Sequence, residues 1–412
     1  MSDGGSARQA TPAPAAVEGS HRAALRFVVL IGVVSLFADM TYEGSRSITG
    51  PYLAVLGASA TVVGIVAGGG ELLGYALRIV SGRLSDLTGR YWPVTLTGYV
   101  VQMAAVPALA LAGSWQAAAI LIALERVGKA LRNPPRDAML AHATREIGRG
   151  WGFGLHEALD QLGALIGPLV AAAVLAARGQ YQVAFALLLI PAVLTLGTLA
   201  IARLAYPDPT GLAARPADVN AGGLPGELWI YLAATMLVAA GFADFSLMAF
   251  HFQQARTVPA TWVPLFYSAA MAVSGLGSLA WGRLFDRAGI VVLVPLTLAS
   301  ACFAPLVFLG APPEAFAGTL LWGLGMGVHE SIMAAAVAGM VPSRRIASAY
   351  GLFNLLYGIA WFLGSAAMGI LYDASVPALV AFSVAAELLA VPLIVVVHRR
   401  RGMAVPGGEG GR

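Results

Sequence analysis

Long apolar stretches are the sequence feature that most constrains how this chain can fold. A helix that crosses a lipid bilayer needs about 20 mostly apolar residues, and the chain offers twelve such stretches with polar residues between them. Only 11% of the residues are charged, whereas soluble domains carry about 25%. The predicted spans 1 to 12 are residues 25–46, 60–81, 91–112, 115–133, 151–176, 181–203, 227–250, 261–281, 289–310, 316–338, 347–371 and 375–397. The sequence therefore predicts an all-α integral membrane protein with twelve transmembrane helices.

A polar segment rich in Gly, Pro and Ala divides these spans into two sets of six. We expect a cytoplasmic linker at 205–226, between an N-terminal six-helix bundle at 23–204 and a C-terminal one at 227–398. Residues 1–22 lack the apolar core of a signal peptide and are predicted to be a disordered cytoplasmic tail, and residues 399–412 form a second tail. With twelve spans, most Arg residues in the connections fall on one side, which places both termini in the cytoplasm.

A short motif appears twice in the chain. Gly82–Arg90 and Gly282–Gly289 both read G-R-L-x-D-x-x-G, at an interval of 200 residues. The pattern predicts a tight loop between two helices, in which Gly permits the turn. Phe37–Asp39 in span 1 likewise recurs as Phe242–Asp244 in span 7. These echoes indicate a parallel duplication, hence two bundles related by pseudo-two-fold symmetry with a substrate site between them.

The motifs resemble those of the major facilitator superfamily. The loop after span 2 is similar to the family's G-x-x-x-D-x-x-G-R signature, and the second copy is similar to the degenerate loop that the family carries after span 8. In span 5, Gly163, Gly167 and Pro168 resemble the family's G-x-x-x-G-P antiporter signature, although Ala171 and Ala172 stand where the family usually has glycines.

The resemblance implies a transporter that works by alternating access. Spans 1, 4, 7 and 10 would line its cavity, and the loop after span 2 would form contacts that close the cytoplasmic side in one state. The residues that this assigns to a cytoplasmic gate are Gly82, Asp86, Gly89, Arg90, Arg136, Gly282, Asp286 and Gly289.

Charged side chains inside the spans are the strongest functional candidates. Each costs on the order of 2.5–3.5 kcal/mol at the bilayer centre, so it requires a partner, water or a function. The candidates for the substrate and proton pathway are Asp39, Glu43, Glu71, Glu125, Arg126, Lys129, His156, Glu157, Asp160, Asp244, His329 and Glu330. Most belong to the N-terminal half, where we therefore expect charge coupling. Carboxylates in a partly dry cavity can exchange protons near neutral pH.

Two of these assignments have structural alternatives. Glu125 with Arg126 and Lys129 fits an internal ion pair as well as a substrate contact. Glu387 lies midway along span 12, which the resemblance implies faces lipid, and a turn inward or a partner chain would each accommodate it.

The sequence favours a proton-coupled secondary transporter of a small solute, more an exporter by antiport than an importer. The alternatives are a divalent metal-ion transporter, using Asp39, Glu43, His156, Glu157 and Asp160, and a membrane receptor or assembly protein that no longer transports. Phosphate-binding and nucleophile motifs are missing, so we expect neither an enzyme nor an ATP-driven pump. The expected partners are the solute, protons and the bilayer of the cell's cytoplasmic membrane. We expect a monomer with no cofactor, resident metal or nucleic acid.

Overall fold

The computed structural model describes residues 14–147, 149–207, 225–341 and 346–403. In the first half the backbone forms seven helices that cover predicted spans 1 to 6. Their bounds are α1 Pro14–Val55, α2 Ala60–Thr88, α3 Tyr91–Ala108, α4 Trp115–Ile147, α5 Arg149–Arg178, α6 Tyr181–Leu187 and α7 Leu189–Ala205.

The second half continues in the same way, and strands are absent from the residues just given. A π-helical turn, Val328–Met333, joins two of its helices. The bounds are α8 Gly226–Gly241, α9 Phe245–Ala255, α10 Val263–Ala288, α11 Leu293–Ala301, α12 Phe303–Leu309, α13 Pro312–Gly327, α14 Ala334–Ala338, α15 Ile346–Ala374 and α16 Val376–Met403.

The helices bear out the predicted all-helical membrane class. Within the described ranges, nine helical runs are long and apolar enough to cross a membrane, and one of them, Val263–Leu309, contains predicted spans 8 and 9. The charged helix α4 and the interrupted α13–α14 segment are not among the nine. The count of twelve crossings therefore stays a prediction.

The predicted ends of the two bundles fall partly outside the described residues. Helix α1 already begins at Pro14, inside the predicted tail, and α16 continues to Met403. Residues 1–13, 208–224 of the linker and 404–412 lie outside the described ranges.

The repeated motif is more helical than the predicted loop. Gly82 and Gly282 lie inside α2 and α10, and the chain turns only at Gly89 and Gly289, whose φ angles are 64° and 67°. The residues between the two glycines of each copy can continue a helix, whereas a left-handed backbone conformation favours glycine and ends it. The turn prediction is thus correct for the last glycine of each copy and wrong for the first.

Small residues allow equivalent helix pairs to pack closely in both bundles. A β-carbon added to Gly163 or Gly167 of α5 would lie 2.2 or 2.3 Å from the carbonyl oxygen of Leu36 or Met40 of α1. One added to Gly364 of α15 would lie 2.1 Å from a backbone oxygen of α8. The α1–α5 pair is therefore repeated as α8–α15, as the duplicated sequence predicts.

The two bundles meet tightly at the end of the molecule that contains the start of α2. The Asp373 carboxylate of α15 accepts hydrogen bonds from the backbone N–H groups of Ala60 and Thr61, at 3.1 and 2.9 Å. A β-carbon on Gly64 would lie 2.3 Å from the carbonyl oxygen of Ser365. We call this the closed end. The opposite, terminal end contains the start of α1, where the Ala23 carbonyl accepts a hydrogen bond from Tyr206.

The close contact between α1 and α5 predicts a position-specific effect of added side-chain volume. Gly167→Val should lower the free energy of unfolding by at least about 1–3 kcal/mol, because its side chain would overlap backbone atoms of α1. Denaturant unfolding in detergent micelles measures the change. The matched control is Gly154→Ala in the same helix, where an added β-carbon meets no atom within 4 Å. Equal effects at the two positions would contradict the packing interpretation.

Candidate functional site

A polar cavity of about 580 Å³ lies between the two bundles. Among the side chains that the structure describes, its charged lining residues all come from the N-terminal half: Asp39, Glu43, Arg46, Glu71, Arg78, Arg126, Lys129, Glu157 and Asp160. The described lining residues of the C-terminal half are neutral, among them Met271, Ser278, Asn354, Tyr357 and Trp361. The predicted concentration of charge in the first bundle is therefore a property of the cavity wall.

The cavity lies between the middle of the bundle and its terminal end. On α2 the lining residues Glu71, Tyr75 and Arg78 follow Gly64, which packs at the closed end. On α15, whose direction is opposite, Asn354 and Tyr357 line the cavity and precede Ser365. The described helices thus form a cavity that faces the terminal end.

Arg46 joins the two bundles near the closed side of the cavity. Its Nη2 lies 3.0 Å from Oδ2 of Asp244 in α9 and 3.7 Å from Oε1 of Glu71 in α2. A second contact between the bundles is the hydrogen bond that the Tyr267 hydroxyl of α10 donates to Glu43 of α1. Both contacts start from α1, so this helix carries much of the polar connection between the halves.

The length of α1 corrects the prediction for span 1. The predicted span 25–46 ends at Arg46, at the edge of the membrane, but α1 continues to Val55 and Arg46 is 7% exposed. The polar residues after Arg46 in α1, such as Ser47 and Thr49, are buried. Helix α9 of the other bundle packs against α1 and helps to shield it from the membrane. Local hydropathy cannot show shielding by a helix 200 residues away in the chain.

Arg126 of α4 is the centre of a second ionic group. Its Nη1 lies 2.8 Å from Glu71 Oε1, and its Nε lies 3.4 Å from Glu125 Oε2. The guanidinium also donates to the Tyr42 hydroxyl of α1. The internal ion pair that was one predicted role of Glu125 is therefore formed, with Arg126 still on the cavity wall.

Two polar residues of α3 connect this group to the next. Gln102 donates from Nε2 to Glu125 Oε1 at 2.9 Å and accepts at Oε1 from Arg132 Nε at 2.6 Å. Arg132 also donates to the Tyr99 hydroxyl at 2.9 Å, and its Nη2 lies 3.6 Å from Asp39 Oδ1. Sequence reasoning missed Gln102 and Tyr99, although an amide in an apolar span signals a buried partner.

Asp39 and Asp160 bring two acids together on the cavity wall. The two carboxyl groups, on α1 and α5, both line the cavity and lie near enough to each other to interact electrostatically. Oδ1 of Asp160 is buried and has no hydrogen-bond partner in the described part of the chain. Because neighbouring buried carboxylates repel each other, the pair is less costly when one of them carries a proton.

Lys129 and Arg78 face the cavity without an ion pair to any described carboxylate within 4.0 Å. The Lys129 ammonium lies 3.5 Å from the centre of the Tyr42 ring, and the Arg78 guanidinium lies 5.2 Å from the centre of the Tyr75 ring. These two cations can meet a negative group of a bound solute, although Arg78 was not among the residues predicted for the substrate pathway.

Several predicted residues lie away from the cavity wall. His156 is hydrogen-bonded at 2.9 Å to Ser35, which also accepts from the predicted gate residue Arg136 at 3.1 Å. Asp244, predicted as a cavity residue, accepts from Ser246 N at 2.8 Å at the start of α9 and pairs with Arg46. Glu157, by contrast, lines the cavity.

The structure describes only part of the predicted cytoplasmic gate. The Arg90 and Asp286 side chains are exposed, with no contact between the two loops that the described side chains display. The side chains of Asp86, His329 and Glu330 lie outside the described set.

Among the described residues, no group of three or more His, Cys, Asp or Glu side chains is arranged to hold a metal ion.

Comparison with known proteins identifies the class. The sequence profile of the Major Facilitator Superfamily matches residues 31–365. The chain is 41% identical over 394 residues to the "Uncharacterized protein Rv2265" of Mycobacterium tuberculosis (strain ATCC 25618 / H37Rv), covering 93% of this chain and 96% of that protein. It is 33% identical over 115 residues, 28% of each chain, to the "Multidrug resistance protein MdtH" of Yersinia pestis (strain Pestoides F).

A solved structure shares the fold. The crystal structure of the peptide transporter POT in complex with sulfate superposes with a TM-score of 0.74, at 16% sequence identity, over 92% of this chain and 94% of that one. Two helical bundles around a polar cavity define a multi-pass membrane protein of the secondary-transporter kind. This chain belongs to the Major Facilitator Superfamily.

The ion pair between the bundles predicts energetic coupling across the interface. Arg46→Gln and Asp244→Asn should each destabilise the protein, because each leaves a buried charge without its partner. The double variant should be more stable than the two separate losses predict, by about 0.5–3 kcal/mol. Denaturant unfolding of the four proteins in detergent micelles measures this difference.

The matched control combines Asp244→Asn with Arg178→Gln. Arg178 is exposed at the end of α5, so these two changes should add within about 0.5 kcal/mol. Additivity of the Arg46 and Asp244 changes as well would show that the buried pair contributes nothing to the interface.

Proposed function

We propose that this protein is a proton-coupled exporter of a small solute, in which Asp39 and Asp160 carry the proton. The observation that carries the proposal is that these two acids, from α1 and α5, lie near each other on the wall of the cavity. A proton-coupled transporter requires a group that changes its charge as the cavity changes sides, and this pair changes its charge when one of its carboxyl groups gains or loses a proton.

The surroundings of the pair supply a reason for coupling. Arg132 lies 3.6 Å from Asp39 and is held by Gln102 and Tyr99, so it compensates one negative charge at a fixed position. A second negative charge on Asp160 would lie buried beside the first, where like charges disfavour each other. Proton release therefore becomes favourable when water or a solute enters beside Asp160, which links the proton to the occupancy of the cavity.

The direction of transport is proposed from two features. The Gly163–Pro168 run resembles the antiporter signature, and a relative over about a quarter of the chain bears the name of a multidrug resistance protein. We place the terminal end, on whose side the cavity lies, in the cytoplasm, because most Arg residues in the predicted connections belong to that side. In this orientation the cavity takes up solute from inside the cell.

The test begins with a thermal-shift screen of purified protein against drugs, sugars, organic anions, amino acids and divalent metal ions. The compound that stabilises the protein is then followed in proteoliposomes. We expect a pH gradient to drive its accumulation, and Asp39→Asn or Asp160→Asn to abolish this while leaving exchange of labelled for unlabelled compound. An amide cannot release a proton. The cavity can therefore still alternate between the two sides of the membrane, but the pH gradient can no longer drive accumulation of the compound.

The matched control is Glu314→Gln, at an exposed position in the first turn of α13. It should accumulate the compound as the wild type does. Accumulation by the Asp39 and Asp160 variants that still follows the pH gradient would contradict the assignment of the proton to this pair. Transport by the wild type that ignores the gradient would contradict proton coupling itself.

A further inference from the structure

Glu387 is a buried acid that lies outside the cavity. It lies midway along α16, is 0% exposed, and is not part of the cavity wall. Neither carboxylate oxygen has a hydrogen-bond partner in the described part of the chain. The resemblance had implied a lipid-facing helix, but this residue turns into the C-terminal bundle, against Gly241 at the end of α8.

A hydroxyl close to it also lacks a hydrogen-bond partner. Ser300 of α11 is 3% exposed, its Oγ has no hydrogen-bond partner among the described residues, and α11 packs against α16 with Ser300 near the Glu387 carboxyl. Helix α8, which also packs against α16, contributes buried apolar side chains such as Val238 and Ala239. The pair therefore forms a small polar island between α8, α11 and α16.

No cation reaches this island from the described helices. The described titratable side chains on α16 and on the elements packed against it, besides Glu387, are Glu227, Tyr231, Cys302, Tyr350, Tyr357, Tyr372, Asp373, His398, Arg399 and Arg400, and the side chain of Arg401 lies outside the described set. None of them forms an ion pair or hydrogen bond with Glu387. On α16 itself, His398 is eleven residues further along, or about 16 Å of helix. On α8, Glu227 lies fourteen residues before Gly241, about 21 Å away.

An isolated charge in such a place is expensive. An ionised carboxylate transferred out of water without a partner loses its hydration, and in proteins such groups become neutral instead. A neutral carboxyl has an O–H group that can donate a hydrogen bond to Ser300 Oγ. This bond would give the Glu387 carboxyl and the Ser300 hydroxyl a partner each. The complete burial leaves no opening for a hydrated metal ion, so a proton is the ligand that fits.

The island lies next to the break in a helix that faces the other bundle. Helix α8 ends at Gly241 and α9 begins at Phe245, and the Gly241 carbonyl accepts from Ser383 Oγ at 2.6 Å. Ser383 is one turn before Glu387 on α16, so both side chains contact the break. Asp244, at the far side of the same break, forms the ion pair with Arg46.

We propose that Glu387 is a proton-binding site of the C-terminal bundle, with Ser300 as its hydrogen-bond partner, and that its proton stabilises the α8–α9 break that positions Asp244 against Arg46. This second site is separate from the Asp39–Asp160 pair and does not depend on the proposed transport reaction. It places a titratable group in the half of the molecule whose described cavity wall is uncharged.

Infrared spectroscopy of the full-length protein in lipid nanodiscs tests the proton directly. Protonated carboxyl groups have a carbonyl stretching band that carboxylates lack. Glu387→Gln should remove one such band from the spectrum recorded at neutral pH, whereas Glu314→Gln should leave the spectrum unchanged, because Glu314 is exposed. An unchanged band pattern in the Glu387 variant would overturn the proposal.

Ser300→Ala keeps the carboxyl and removes only its partner. We expect the same band to move to the position of a carboxyl without a hydrogen bond, while the band intensity stays. This variant also serves if Glu387→Gln does not fold. A band that does not respond to Ser300→Ala would overturn the role of Ser300.

Thermal unfolding distinguishes a proton from a bound cation. If the folded state requires the neutral carboxyl, its contribution is present at low pH and is lost as pH rises, so the Tm of the wild type should fall between mildly acidic and mildly alkaline buffer. Glu387→Gln should lose less Tm over the same interval. Stabilisation of the wild type, but not of the variant, by sodium in place of a bulky organic cation would overturn the proposal in favour of a metal-ion site.

Discussion

The cost of a charge removed from water governs the interior of this protein. Arg46, Arg126 and Arg132 are each nearly buried, and each lies against at least one carboxylate. Because these pairs join α1 to α2, α4 and α9, satisfying the charges also fixes the helices relative to one another. The wall of the cavity is charged on the side where these helices meet, and its described residues are neutral on the side formed by α10, α13 and α15.

Close backbone approach is the second condition, and it determines which end of the cavity is shut. Glycines at positions such as Gly64 and Gly167 let helices come near enough that a β-carbon would overlap backbone atoms. At the closed end this packing is combined with directional contacts, since Asp373 caps the start of α2 and Asp244 caps α9 while it pairs with Arg46. A rocking motion that opened this end would have to separate all of these contacts together, which suits a two-state transporter.

Much of the fold could be predicted from the sequence, because its signals are local. Apolar length predicts helices, and every predicted span overlaps helical backbone. The duplicated motifs predict the equivalence of α1–α5 with α8–α15. The candidate site was also predictable in part. Charged residues are rare in membrane spans and usually face the interior of the bundle or a cavity, and Asp39, Glu71 and Lys129 do line the cavity. Periodicity cannot show which helix covers which, so the predicted span 1 ended at Arg46 although α1 continues to Val55.

The sequence by itself determined the class of this protein, its two-fold internal repeat and the half that holds the charges, since composition and repetition do not depend on how helices pack. Only the tertiary structure decided the partners. It set Arg46 of α1 against Asp244 at the start of α9, placed Asp39 and Asp160 from separate helices on one cavity wall, and turned Glu387 into the C-terminal bundle. The physical reason is that pairing energy depends on distances across helices, and residues far apart in the chain acquire those distances only when their helices pack together.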